Sequence, residues 1–187
     1  MKKYIASIFF FCAVVTTSSA QQKFPAVDKS PMDMSYYPNG YPLQKIQGKI
    51  TESATCRVVY SRPQRNGRSI FGEVLEYGKV WRMGANEATE IEFFKTVHIG
   101  GKKVKKGRYT MYCIPYADKW TIIINKETDT WGSFTYDEKK DLLRTDVAVQ
   151  KQTEIVESFS MMFEKSATGC SLLIAWDDEK VSLPITF

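Results

Sequence analysis

Between Val80 and Glu90 the chain sets an aromatic, a guanidinium, an amide and two carboxylates among small residues: Trp81, Arg82, Asn86, Glu87 and Glu90, with Gly84, Ala85 and Ala88 between them. Upstream lie Arg62 beside Pro63 and Arg68 beside Gly67. Guanidinium groups are rigid planar donor forks that suit a carboxylate, phosphate or sulfate. A loop-borne set of Arg62, Arg68 and Arg82 is therefore a candidate clamp for an anionic or polyhydroxyl group, with Asn86 and Glu87 orienting it by hydrogen bonds. The same residues equally suit ion pairs with Glu87, Glu90 or Asp146 that lock loops to a scaffold. A second candidate is Trp131-Gly132 with Phe134 and Tyr136, in a polar stretch after Asn125-Lys126-Glu127. An aromatic beside glycine in such a loop is either a plug for the end of a fold or a platform for a ligand.

Paired carboxylates offer acid/base chemistry across a cleft. Glu90 and Glu92 on one strand face stand about 7 Å apart at the usual strand rise. In a hydrolase or lyase acting on a glycan or peptide, Glu87 or Glu90 is the general base and Arg82 the oxyanion stabiliser. Alternating glutamates on a solvated face look identical. The sequence has no G-x-S-x-G elbow, phosphate-binding glycine loop, C-x-x-C pair or H-E-x-x-H motif. One histidine, His98, excludes relays that need two imidazoles, and no metal or cofactor is implied. Lys102, Lys103, Lys105 and Lys106 read as a solvated hairpin edge that resists edge-to-edge pairing. The remaining lysines are dispersed, so no nucleic-acid stripe is expected.

The elements that position these groups alternate with period two. Cys56, Val58 and Tyr60 share a face; so do Ile91 and Phe93, then Tyr109, Met111 and Cys113, then Trp120, Ile122 and Ile124. Cys170, Leu172, Ile174 and Trp176 follow, and Val181, Leu183, Ile185 and Phe187 close the chain. Trp81, Trp120 and Trp176 fall in such runs and read as core. Gly100-Gly101, Pro115–Lys119 and Asp177-Asp178-Glu179-Lys180 read as turns between neighbouring strands. Short helical pieces are expected near Phe71–Tyr77 and Asp137–Asp141. Eight to ten short strands with few helices predict an all-β fold, a single antiparallel β-sandwich or jelly-roll-like domain with short helical turns.

The N-terminus sets the compartment. Lys2 and Lys3 precede an apolar run from Ile5 to Val15, and small residues Ser18-Ser19-Ala20 follow. This pattern predicts a secretory signal cleaved after Ala20, with export to the periplasm or beyond. Phe11 before Cys12 argues against a lipoprotein. Without the two leader lysines, 24 Lys+Arg face 21 Asp+Glu and the net charge falls from +5 to +3. Residues 21–43, dense in proline, read as an extended arm, and 44–187 as the sandwich domain. No later stretch is long enough to span a bilayer. Of four cysteines, Cys12 lies in the leader, leaving Cys56, Cys113 and Cys170. An odd count reads as buried small hydrophobes, or as one disulfide of unassigned pairing with a spare thiol.

The stretch from Gly67 to Phe93, with its Trp81-Arg82-Met83-Gly84-Ala85-Asn86-Glu87-Ala88-Thr89 centre, resembles domain-of-unknown-function family 2911. So do Lys105–Glu127 and Trp131–Val147. Further matching positions are Arg62-Pro63, Ile70-Phe71-Gly72, Gly107, Tyr109, Pro115, Trp120, Trp131-Gly132 and Arg144. The resemblance runs from Lys45 to Phe187. It implies a small exported all-β protein of a kind frequent in Bacteroidetes-type bacteria, and it implies no reaction. Three functions follow in order: a non-enzymatic module for an anionic or polyhydroxyl, glycan-like small molecule; the glycan or peptide hydrolase or lyase; and a structural envelope-assembly protein. The candidate ligand-binding residues are Arg62, Arg68, Arg82, Asn86, Glu87, Trp131 and Tyr136.

Overall fold

A computed structural model describes residues 23–187. The leader and its cleavage site lie outside the described residues. Ten strands are present among them: β1 (Met32–Tyr37), β2 (Cys56–Ser61), β3 (Glu90–Phe93), β4 (Val97–Ile99), β5 (Lys102–Val104), β6 (Gly107–Pro115), β7 (Lys119–Asn125), β8 (Asp141–Ala148), β9 (Gln150–Ser166) and β10 (Gly169–Thr186). One sheet has the order β1-β2-β3-β6-β7-β8 and the other β5-β4-β10-β9. Every strand pair is antiparallel. The result is an all-β sandwich.

The alternating rows explain why the sheets face each other. Val58, Ile91, Met111, Ile122 and Ile124 from the six-stranded sheet are wholly buried, as are Phe163, Leu172, Ile174 and Leu183 from the four-stranded sheet, and all join one cluster. At its centre Trp81, Trp120, Phe159 and Trp176 pack ring on ring. Trp81 lies 5.0 Å from Phe159 and 5.9 Å from each of Trp120 and Trp176, centroid to centroid. Such pairs add to the area term when edges meet faces.

Turns at Gly100-Gly101 and after Pro115 separate β4 from β5 and β6 from β7 as expected. Elsewhere the local reading differs from the structure. Asp177–Lys180 is not a turn but the middle of β10. Two of its acids are buried because partners await them. Asp177 accepts from the Ile70 amide at 3.0 Å and pairs with Arg65 at 2.7 Å. Glu179 accepts from Trp120 Nε1 at 2.8 Å and from Lys151 at 3.0 Å. Register shifts at Asp177 re-aim these side chains, which is what a bulge does. Residues 71–77 form turns and a short bridge between Phe71 and Leu75 rather than a helix. The 3₁₀ turn Glu138–Lys140 is present, capped by the Asp137 carboxylate.

The proline-rich N-terminal segment contributes a strand to the larger sheet. β1 pairs with β2 along its whole length. A helix, α1 (Tyr41–Ile46), follows with Pro42 in its first turn, where no amide donor is needed. β9 and β10 form a hairpin of 17 and 18 residues, far longer than the short strands expected. The lysine-bearing β5 is an edge strand, and Lys102 and Lys103 are exposed.

The outer face of the six-stranded sheet is also covered. Tyr112 on β6 and Ile123 on β7 point away from the main core yet are 1% and 0% exposed. Ala88 joins them in a second small cluster, flanked by Val80, Ile114 and Tyr136. Val80, Ala88 and Tyr136 therefore cover this outer face, and the loops that bear them, around 80–88 and 130–136, carry most of the candidate residues.

Candidate functional site

The 82–89 loop closes on itself. The Thr89 amide donates to the Arg82 carbonyl at 3.0 Å, and Thr89 Oγ1 donates to the Met83 carbonyl. Trp81 plugs the loop's base into the core, with Nε1 donating to the Gly84 carbonyl at 3.1 Å. Gly84 has φ +150°, and a Cβ there would stand 2.7 Å from Ser61 Oγ. Only glycine lets the loop lie this close to β2, where Ser61 Oγ also bonds the Ala85 amide at 2.6 Å. Met83 and Asn86 both take left-handed φ, at 57° and 58°.

The second loop is tied to the first. The Gly132 amide donates to the Asn86 carbonyl at 2.9 Å, and the Ala88 amide to the Thr130 carbonyl at 3.0 Å. Glu87 and Trp131 thus form an isolated antiparallel bridge. The Asp129 amide donates to Glu90 Oε1 at 2.8 Å, and Ser133 Oγ to the Val80 carbonyl at 3.3 Å. Arg108 holds both Glu90, at 3.3 Å, and Asp129, at 2.5 Å. The Val80–Glu90 string is thereby a cradle for the Asp129–Ser133 segment.

What the cradle displays is aromatic. Trp131 is 58% exposed and Phe134 is 86% exposed. They border a hollow of about 590 Å³ whose polar rim includes Glu127, Thr128, Asp129 and Lys140. Gly132 sits beneath the Phe134 ring: a Cβ there would lie 2.8 Å from it, and its φ is +66°. Tyr136 instead turns inward. Its hydroxyl donates to Asp141 at 2.7 Å and accepts from Arg144 at 2.8 Å, and its ring packs on Tyr112. Burial first, then the Asp141 carboxylate, raises the Tyr136 phenol above its ordinary value.

The three arginines do not share this hollow. Arg62 bonds Asp33, the Phe159 carbonyl and Ser160, fastening β1 and β2 to β9. Arg68 donates to the Gln64 and Arg65 carbonyls of its own loop. Arg82 lines a separate hollow with Val74, Leu75 and Ser133. Its buried Nε has no hydrogen-bond partner among the described residues, and burial lowers the guanidinium below its ordinary value. Glu87 is exposed and lies on a small neighbouring hollow of about 150 Å³ with Glu90 and Asp129, apart from Arg82. Glu90 and Glu92 are each countered by an arginine, Arg108 and Arg57, the latter at 2.9 Å. Asp146 pairs with Lys119 and Thr121.

Sequence reading singled out Trp131 and Tyr136 but not Thr128, Asp129 or Lys140, which share the hollow with Trp131. Their signal was the polar run Glu127-Thr128-Asp129-Thr130 directly before the tryptophan. Among the described residues no three His, Cys, Asp or Glu gather to hold a metal. No helix among them is long and apolar enough to cross a membrane. A family model described as Protein of unknown function (DUF2911) matches residues 41–185. No curated protein and no solved structure matches the chain.

Proposed function

Since the chain belongs to that DUF2911 family, whose description assigns no reaction, we propose from geometry that it is an exported, non-enzymatic module that binds a neutral polyhydroxyl, glycan-like molecule in the Trp131–Phe134 hollow. The observation that carries this reading is a pair of exposed aromatic rings on a loop made rigid by its neighbours. A large aromatic left in water at 58% exposure closes no interior. It offers a flat apolar face to the C–H face of a pyranose ring.

The rim supplies the rest. Carboxylates and hydroxyls of Glu127, Thr128 and Asp129 can accept from or donate to sugar hydroxyls, and Lys140 donates. The rim charges are already matched, Glu127 by Lys140 and Asp129 by Arg108, which leaves no free charge for an anion and favours a neutral polyol. The arginine forks that suit an anion are engaged elsewhere or face another hollow. The volume lies in the range that holds one or two sugar units. Anchoring by Asn86, Ala88 and Glu90 keeps the platform in place before the ligand arrives, which lowers the entropy cost of binding.

Calorimetric titration with neutral oligosaccharides of increasing length tests the reading. Saturable binding is expected, weakened about tenfold in Trp131→Ala while the melting midpoint stays within about 2 °C. Silence toward every neutral oligosaccharide, or binding indifferent to both Trp131→Ala and Phe134→Ala, would overturn it.

A further inference from the structure

Cys56 and Cys170 belong to opposite sheets, on β2 and β10, and both are 0% exposed in the same core cluster. Tyr37 marks how close they come. It stands directly across the β1–β2 ladder from Cys56, and its hydroxyl donates at 3.3 Å to the carbonyl of Gly169, the residue before Cys170. The Tyr37 ring also packs 6.3 Å from Phe163 and 5.7 Å from Phe187. Phe187 in turn carries Lys95 over its face at 3.8 Å. One tyrosine thus spans the gap between the two cysteine positions. Both are free thiols in the structure and each perturbs the other, the neighbouring thiol pushing Cys56 up and Cys170 down. Cys113 is buried elsewhere, between the Trp81 bridge and β7, where burial and then Glu179 hold its thiol up.

We propose that Cys56 and Cys170 form a disulfide joining the two sheets, with Cys113 left as the free thiol. The step needs an oxidant, and a low-molecular-weight or protein disulfide supplies it. One Cys thiolate attacks that disulfide and expels a thiol. The second Cys thiolate then attacks the mixed disulfide and expels the other thiol. Two protons leave with the two thiol products, and two electrons pass from the cysteines to the oxidant. The relevance of the bond in the cell rests on the export reading, because oxidising compartments preserve such bonds.

Complete burial dictates when the bond forms. No oxidant reaches either sulfur in the closed sandwich, so exchange must occur while the sheets are still apart. The link then closes a loop of roughly 110 residues, and loops of that size gain most from a cross-link in the chain-entropy view. Once inside, the bond is equally shielded from reductants.

The test is refolding of the reduced, unfolded chain in a glutathione redox buffer, followed by acid quench, alkylation and peptide mapping. The expected result is a Cys56–Cys170 linked peptide in most molecules, an alkylated Cys113, and a melting midpoint on the order of 10 °C above that of the reduced protein. The Cys113→Ser variant is expected to form the same link, which separates pairing from any folding defect in single variants of the pair. Alkylation of all three cysteines after refolding, or a link that includes Cys113, would overturn the assignment. Because this measurement uses no compartment and no ligand, its failure is distinct from failure of the export or glycan readings.

Discussion

Deleting Ile185–Phe187 is expected to lower the melting midpoint by roughly 10–20 °C, corresponding to about 4–6 kcal/mol. Ile185 is wholly buried, and losing a buried aliphatic side chain of that size costs about 2–5 kcal/mol. Thr186 pairs with His98 on β4 and is the register point by which β10 holds the β4–β5 hairpin. Phe187 adds its contact with Tyr37 and the Lys95 cation above its ring. Its amide also donates to the Thr168 carbonyl at the tip of the long hairpin. Removing three residues therefore opens the corner where the two sheets meet. Domain stabilities of about 5–15 kcal/mol leave little margin for that loss. A scanning calorimetry midpoint within about 3 °C of the parent would contradict this account.

Trp81→Ala is expected to cost about 3–5 kcal/mol, read as a lower urea midpoint at unchanged slope. The indole is 5% exposed and touches Trp120, Phe159 and Trp176. Alanine would leave a cavity among rings that belong to three strands and cannot all move inward together. It would also remove the Nε1 bond to Gly84, freeing the base of the 82–89 loop. That loop carries the hydrogen bonds that hold Gly132 and Thr130, so any ligand affinity at Trp131 should fall as well. A Trp81→Phe substitution keeps most of the apolar contact but not the donor, and should lie between the two. A loss below about 1 kcal/mol for alanine would show that the ring is not a keystone of the core.

The alternating runs made the sandwich legible because each of β2, β3, β6, β7 and the first half of β10 buries one clean face. They also carried a clue about the site. Tyr112, Ile114 and Ile123 are apolar on the wrong face of their strands, and such residues need a cover. That cover is the loop pair bearing Glu87 and Trp131. Where reading failed, a distant partner decided the conformation. Asp177 and Glu179 look like turn residues, yet Arg65, Ile70, Trp120 and Lys151 make them affordable inside a strand. No local pattern contains that information. β9 carries exposed Ile155 and Met162 beside its polar residues, which blurs the alternation, so only Phe159, Met161 and Phe163 betray its inward row. For the arginines, residue type showed what each group could hold but not where it would point. Arg62 found Asp33 across a strand pair, and Arg68 found the carbonyls of its own loop.

The distribution of the four indoles has an optical consequence. Trp81, Trp120 and Trp176 are 5%, 0% and 3% exposed and lie near enough to exchange excitation, while Trp131 stands alone in water. Emission from the intact protein should therefore divide into a blue component beyond the reach of dissolved acrylamide and a single red, quenchable one. The red component reports on one loop alone, so the protein carries its own fluorophore at the surface where a ligand would settle.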